Sequence, residues 1–373
     1  MAGDQENCVA VKLLLITGSF PPMKCGVGDY SYRLVGELAD DPHVKVAVLT
    51  SVAVAGIAEL GGVEIFPVVK KWDLAEAPKV IKIIRAWKPD IVHIQYPTQG
   101  YGNGLLPGIL PAMSFLLGKT IVQTWHEGYS RRNAPDLFVR SVFPSGLVVV
   151  RPGYKENLHP LLRWALWNKK CVFIPNASTL PRIDVGEQEK HELRTRYLKS
   201  QQRLIVFFGF VYPHKGVDLL FEVANPASDA IVIAGEIGDG RDYFQKIKRR
   251  ASTPPWLGKV TITGFLPAGD VAGLLAAADA VILPFRDGGG EWNTSLHAAV
   301  LQGSFVITTS RDRNGYDAEH NVYYAKLNDV QEMRSALDGH AGTRREHGTD
   351  MVGREWHRIA FQHRSLYEAL LSK

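Results

Sequence analysis

The sequence predicts an α/β protein built as two doubly wound parallel-sheet units, and three observations carry that prediction. Short runs rich in Val, Ile and Leu alternate with amphipathic stretches at helical spacing, the pattern of strands joined by crossover helices. The alternation passes through the first half of the 373 residues and then restarts in the second. At roughly 150 residues per domain, that length allows about two domains.

In the first half, residues 11–17, 44–51, 91–95, 120–124 and 147–150 read as buried strands, with helices over 30–39 and 77–87. In the second half, strands are expected at 204–209, 230–234, 259–263, 280–283 and 305–308. Helices fit 216–223, 241–250, 268–277 and 294–302. Between the halves, residues 174–184 are polar, contain Pro175 and Pro181 and lack periodicity, which marks the boundary. A last helix over 355–372 sets Trp356, Ile359, His363, Leu366, Tyr367 and Leu370 on one face. Ligands of such sheets sit at the carboxyl ends of the strands.

Composition narrows the function classes. With 46% hydrophobic and 22% charged residues the chain has ample apolar surface for a packed core, which excludes disorder as its main state. Cys8, Cys25 and Cys171 are sparse and show no CxxC spacing, as expected in a reducing cytoplasm. The N-terminus carries acids where a signal peptide needs basic residues. The longest apolar stretch, 104–118, is too short to span a bilayer and is broken by Pro107 and Pro111.

Charge is uneven along the chain. Residues 1–177 hold 19 Lys and Arg against 14 Asp and Glu, while residues 178–373 hold 24 of each. The excess is too diffuse for nucleic-acid binding, which would show basic clusters interleaved with aromatics. It suits an anionic small molecule or a membrane face met without insertion, with Arg131, Arg132 and the apolar 105–117 segment nearby; a solvated face or a soluble acceptor fits the same charges.

Three loops are candidate anion cradles. The first strand runs into Lys24-Cys25-Gly26-Val27-Gly28-Asp29 just before a helix, where glycine admits a ligand to the backbone and the helix start offers N–H groups. A tight turn explains the same glycines, and neither the GxGxxG nor the P-loop spacing is present. The second is Gly209 through His214-Lys215-Gly216, where Lys215 could neutralise a phosphate as a point charge. The third runs from Arg286 through three glycines to Glu291, then Asn293, Thr294 and Ser295 capping a helix. The alternative for that loop is plain mobility. His126 follows a strand and so faces the ligand side, although a structural histidine is the usual reading. No Cys/His cluster has metal-ligand spacing and no GxSxG elbow occurs, so no bound metal or cofactor is expected.

In order along the chain, these motifs resemble those of the retaining, nucleotide-sugar-dependent GT-B glycosyltransferases of the family-4 type. GSFPPMKCGVGDYSYRL resembles the family's N-terminal glycine loop; Asp90 to Gln95, the Thr-Trp-His ending at His126, and Ile174-Pro-Asn176 resemble its next landmarks. FFGFVYPHKGVDLL resembles the opening of the nucleotide-binding domain, followed by Ile233-Ala-Gly235, Thr263-Gly264-Phe265-Leu266, Ala277-Ala-Asp279 and Leu283-Pro-Phe285. The resemblance implies a GT-B fold, two Rossmann-like domains facing across a cleft: an acceptor domain over 1–177 that regains 355–373, and a donor domain over 178–354. It implies transfer of a sugar from a nucleoside diphosphate sugar to a hydroxyl of a glycan, lipid-linked or small-molecule acceptor, in polysaccharide or glycoconjugate biosynthesis. The setting would be the cytoplasm, including the inner face of the plasma membrane.

By the same resemblance, His126 touches the transferred sugar and Lys215 the diphosphate. Gly26, Gly28, Gly209, Gly264, Phe265, Asn293, Thr294 and Ser295 border the donor, while Lys24, Asp29, Gln95 and Tyr96 line the acceptor side. Two departures stand out. The family's Glu-x7-Glu pair falls on Gly289 and His297, which leaves Glu291 to take over sugar recognition or to cap its helix, and the Arg that often precedes the phosphate Lys is absent. A nucleotide-sugar epimerase, a phosphorylase and a non-catalytic nucleotide-sugar binder remain open alternatives.

Overall fold

Strands built from runs such as Leu13-Leu14-Leu15-Ile16 have no polar face, so both of their sides must be covered by helices. The computed structural model describes residues 11–54, 60–127, 134–154, 158–235, 242–345 and 351–372. Cys8, Arg131, Arg132 and Arg241 lie outside the described residues. The chain divides into two units, residues 1–176 with 353–373, and residues 177–352.

The first unit runs β1 (Val11–Ile16), α1 (Gly26–Ala39), β2 (Val44–Ser51), β3 (Glu64–Val69), α2 (Ala77–Trp87), β4 (Ile91–Tyr96), α3 (Leu106–Leu116) and β5 (Thr120–Trp125). It continues through α4 (Ala134–Val142), β6 (Gly146–Val149), α5 (Pro160–Ala165) and β7 (Lys170–Phe173). Its parallel sheet has the order β3-β2-β1-β4-β5-β6-β7, with Leu13 opposite Ile91 and Gln95 opposite Thr124. The order reverses between β1 and β4. Because crossovers are right-handed, α2, α3, α4 and α5 cover one face of this sheet and α1 the other.

The second unit runs α6 (Glu187–Tyr197), β8 (Arg203–Phe208), α7 (Leu220–Val223), β9 (Asp229–Ala234), α8 (Asp242–Ala251), β10 (Val260–Gly264), α9 (Ala268–Ala277) and β11 (Ala280–Leu283). Then come α10 (Thr294–Leu301), β12 (Val306–Thr309), β13 (Gly315–Asp317), β14 (Val322–Ala325) and α11 (Val330–His340). The sheet order is β10-β9-β8-β11-β12-β14-β13, parallel except for β13, which pairs antiparallel with β14. Its order reverses between β8 and β11. α12 (Met351–Leu371) ends the chain and lays Trp356 edge-on against Tyr30 of α1, ring centroids 5.3 Å apart. Arg364 of α12 pairs with Asp41 just beyond α1.

Several elements differ from expectation for identifiable reasons. α1 begins at Gly26, so the two glycines form its first turn rather than a loop before it. The helix expected at 216–223 is a 3-10 turn over Val217–Leu219 followed by the short α7, because Gly216 is left-handed and Ala224 returns to extended backbone. β3 contains Pro67, which an edge strand tolerates, and so lacks a clean strand signal. α6 is mostly charged, with only Leu193 and Tyr197 turned to the core, and so gives a weak apolar stripe to read.

Candidate active site

Doubly wound sheets bind ligands where their strand order reverses. In the second unit this is the gap between the ends of β8 and β11. Gly216 sits at φ 66°, a left-handed conformation, and a Cβ there would overlap the carbonyl oxygen of Pro284 after β11. Arg286 N–H donates to the His214 carbonyl at 2.9 Å, which ties the two loops together. The Lys215 ammonium lies 4.5 Å from the centre of the Phe285 ring. Just before it, Phe210, Tyr212 and His214 stack in a ladder, with centroids 6.0 and 5.6 Å apart.

The third cradle closes on the same place. A Cβ on Gly209 would come 3.1 Å from Ser295 Oγ, so the end of β8 abuts the first turn of α10. Asn293 occupies the N-cap position but does not cap the helix: its Oδ1 accepts from Gly290 N–H at 2.9 Å. The first turn containing Thr294 and Ser295 therefore has no side-chain cap. The glycine run is held in place rather than loose, since Gly289 N–H donates to Thr309 O at 2.6 Å and Gly288 N–H to Phe285 O at 3.2 Å. Gly264 ends β10 and accepts from Gly235 N–H at 3.0 Å, and Phe265 beside it is exposed.

Two expectations change here. Glu291 does not cap α10; its Oε1 accepts from Arg313 Nη2 at 2.6 Å. His297 bonds the backbone of that same residue, Nε2–H donating to Glu291 O at 2.8 Å. Arg286, which opens the third cradle, is held by side chains of its own unit. It donates to Asp218 Oδ2 at 2.6 Å and to Asn328 Oδ1 at 3.0 Å. The arginine and the Tyr243 hydroxyl hold the Asp218 carboxyl below its usual range despite its burial. Sequence reading missed this Asp218–Arg286–Tyr243 cluster, although Asp218 follows Lys215-Gly216-Val217 directly.

In the first unit the reversal between β1 and β4 is stitched shut. Gly100 N–H donates to Ser19 Oγ at 2.7 Å, and a Cβ on Gly100 would overlap Gly18 O. Gly28 presses on the same segment from α1: a Cβ there would lie 3.2 Å from Ser19 C and O. That glycine serves chain packing, whereas a Cβ on Gly26 would meet nothing within 4 Å. Lys24 is exposed in the turn before α1. Asp29 is half-buried in its first turn, and burial raises its carboxyl to about 6 against the lowering charge of Arg33.

His126 and Gln95 come together. His126 Nε2 contacts Gln95 Oε1 at 2.7 Å, and because an amide oxygen only accepts, that nitrogen carries the proton. Behind them is a histidine network that went unnoticed in the sequence. His93 Nε2 meets Thr124 Oγ1 at 2.8 Å and Gln95 Nε2 at 3.5 Å, while His93 Nδ1 meets the Tyr367 hydroxyl at 2.7 Å. His363 Nδ1–H donates to Ile359 O at 2.8 Å, so the Tyr30 hydroxyl donates to its Nε2 at 3.4 Å. The Tyr30 ring also lies edge-on to His126, centroids 4.8 Å apart. Burial and neighbouring histidine charge lower His126 to about 3 and His93 well below 6.5, while burial takes His363 to about 4, so all three are neutral near pH 7. The alternation of β4, which puts His93 and Gln95 on one face, was the available signal.

Tyr96 takes no part in this network. Its hydroxyl donates to Asp136 at 2.7 Å and its ring lies 3.8 Å from the Arg140 guanidinium, which leaves the phenol raised to about 12 chiefly by burial. Among the described residues no group of His, Cys, Asp and Glu could hold a metal ion. Nor is any helix among them long and apolar enough to cross a membrane.

A family model decides the character of the second unit. Residues 202–339 match the group 1 glycosyl transferases. This group 1 glycosyl transferase domain contains Gly209, Lys215, Glu291 and the start of α10. No curated protein matches the chain in sequence. Solved structures match nearly its whole length and show the GT-B fold. Sucrose-phosphate synthase from Thermosynechococcus elongatus is 16% identical with a TM-score of 0.71, the match covering 97% of this chain and 99% of that one. The Anabaena protein HepE in complex with UDP-glucose is 15% identical with a TM-score of 0.68, over 97% and 98% of the two chains. WaaG, a glycosyltransferase involved in lipopolysaccharide biosynthesis, is 15% identical with a TM-score of 0.59, over 96% and 98%.

Proposed function

We propose that the protein is a retaining glycosyltransferase that moves a sugar from a nucleoside diphosphate sugar to a hydroxyl of a glycan, lipid-linked or small-molecule acceptor. The observation that carries this reading is the β8/β11 reversal of the group 1 glycosyl transferase domain. There a lysine in a rigid loop stands in one constellation with a helix start that no side chain caps. A departing diphosphate needs its developing charge stabilised more than it needs a strong base nearby. Lys215 supplies a compact cation, and the first turn of α10 supplies N–H groups and the positive end of a helix dipole. The UDP-glucose bound to the structurally similar HepE supports a donor of this class.

The bond between C1 of the sugar and the phosphate oxygen breaks as the acceptor oxygen bonds to C1 from the same face, and the acceptor proton passes to the leaving phosphate. His126, held neutral with its proton on Nε2, hydrogen-bonds the transferred sugar. Glu291, oriented by Arg313, recognises sugar hydroxyls. Asp29 and Lys24 border the acceptor, and no metal or other cofactor is required.

The test is a transfer assay across nucleoside diphosphate sugars and an acceptor panel, following both diphosphate release and glycosylated product. Acceptor-dependent product with retained anomeric configuration supports the reading. Sugar isomerisation without an acceptor identifies an epimerase, and dependence on orthophosphate a phosphorylase. Binding without any turnover leaves a nucleotide-sugar binder.

A further inference from the structure

We infer that Asp218 is a positioning residue for the donor site, holding Arg286 as a strut that fixes the loop carrying Lys215. The inference rests on the donor-site reading of the β8/β11 reversal and adds to it residues that touch no ligand themselves.

Asp218 lies three positions beyond Lys215, in the 3-10 turn that leads into α7, and it is buried. Both carboxylate oxygens are taken. Oδ1 accepts from the Tyr243 hydroxyl of α8 at 2.6 Å, and Oδ2 accepts from Arg286 Nη2 at 2.6 Å. The backbone of the same residue is held as well: its N–H donates to the Tyr243 oxygen at 3.2 Å, and its carbonyl accepts from Arg250 Nη1 at 3.4 Å. Arg286 then reaches a further segment, donating through Nη1 to Asn328 Oδ1 at 3.0 Å, between β14 and α11. A guanidinium anchored at two points of its fork has one orientation open to it.

The cluster meets the Lys215 loop by two routes. The Arg286 amide donates to His214 O at 2.9 Å, one residue before the lysine. Phe285, one residue before Arg286, presents the ring whose centre is 4.5 Å from the lysine ammonium. The Phe285 carbonyl is pinned in turn by Thr309 Oγ1 and by Gly288 N–H. Stability alone gives a weak reason for such a cluster, because an ion pair with a buried partner repays little beyond its desolvation. Charged, directional bonds do supply a fixed geometry. A lysine that stabilises a leaving group needs that geometry, since a misplacement of about 1 Å can cost about a hundredfold in rate.

Direct contact between Arg286 and a phosphate is the competing role, and the two differ in sign. Asp218→Asn removes a carboxylate beside an anion site and releases Arg286, so a phosphate-binding Arg286 would then hold a diphosphate more tightly. With Asp218 as the anchor of the Lys215 loop, binding weakens in spite of the favourable change in charge.

Isothermal titration with UDP, ADP and GDP, followed through with whichever binds tightest, tests this in the native protein, Lys215→Ala, Asp218→Asn and the double variant. Asp218→Asn should weaken diphosphate binding about fivefold. In the Lys215→Ala background the same substitution should change it by less than about twofold, because a residue acting through the lysine has nothing left to place. Hydrogen exchange gives a readout without ligand: in Asp218→Asn, peptides over 210–217 and 284–290 should exchange faster while those over β9 and β12 keep their protection. Tyr243→Phe keeps the ring and should show the same pattern more weakly. Unchanged or tighter binding by Asp218→Asn overturns the inference, as does an equal loss in both backgrounds or unaltered exchange of the two loops. A loss in Lys215→Ala with none in Asp218→Asn leaves the donor-site reading standing and removes only this inference. Native-like binding by Lys215→Ala, or no binding of any of the three diphosphates, removes the donor-site reading and the inference with it.

Discussion

Acidification should destabilise the first unit through its buried histidines, and His363 allows the size to be worked out. Its ring is inaccessible to solvent, and burial lowers its pKa from 6.5 to about 4 even though the Ile359 carbonyl holds its Nδ1 proton. The unfolded chain keeps the ordinary value, so between those two pH values it binds the proton that the folded chain refuses. The stabilisation is therefore complete above about pH 6.5 and is lost as pH falls towards about 4; at 1.36 kcal/mol per unit the loss is about 3 kcal/mol. His126 and His93 act in the same direction. Asp29 acts against them: its carboxyl is raised from 3.8 to about 6, so its contribution is present at low pH and is lost as pH rises through about 6. Across the interval from about pH 4 to 6 it offsets the share of one histidine. Urea unfolding of the native chain and of His363→Gln at about pH 7, 5.5 and 4.5 measures the difference. The variant should lose less stability on acidification, approaching 1.36 kcal/mol per pH unit less, and its absolute stability at pH 7 does not enter. Equal pH slopes for the two proteins would refute the assignment of a buried neutral His363.

Further substitutions probe single contacts. Gly28→Val forces side-chain atoms against the Ser19 backbone, so a scan should show the melting temperature falling by several degrees; an unchanged melting temperature would contradict the packing described for α1. Gln95→Leu removes the acceptor of the His126 Nε2 proton and should cost about 1–3 kcal/mol in urea unfolding together with a lower transfer rate. Unaltered kinetics would confine the pair to a structural role. Glu291→Gln weakens an ion pair that is exposed on both sides and should cost less than about 1 kcal/mol of stability. Steady-state kinetics should show slower transfer with nucleoside diphosphate affinity kept, and equal losses for donor and free diphosphate would place Glu291 at the phosphates or ribose.

The fold was legible where burial imposes a period. β1, β2, β4, β8 and β11 are fed by continuous Val, Ile and Leu runs, and their boundaries agree with the sequence reading to within one residue. Elements without such a signal were invisible: β7 is four residues at a sheet edge, and α3 is apolar on most sides and contains Pro111. Residues of the candidate site were legible as types but not as partners. The sequence marks Lys215 as a cation between a strand and a helix, yet it cannot reveal that Arg286 is already held by Asp218, 68 positions away. It likewise cannot bring His93 to Tyr367 across 274 positions, because only the return of α12 onto the first unit does so. Glu291 illustrates the same limit. Helix-dipole reasoning favours a cap, but the nearby Arg313 offers a full charge and takes the carboxylate.

Isothermal titration of nucleoside diphosphates into the native protein and into Lys215→Ala tests most directly whether the β8/β11 reversal is a donor site. A diphosphate that binds the native protein should lose about 1.5–3 kcal/mol of binding free energy in the variant, with melting temperatures equal and Lys215→Arg only partly restoring affinity. Equal affinity of native protein and Lys215→Ala for every diphosphate that binds would contradict the donor site placed there.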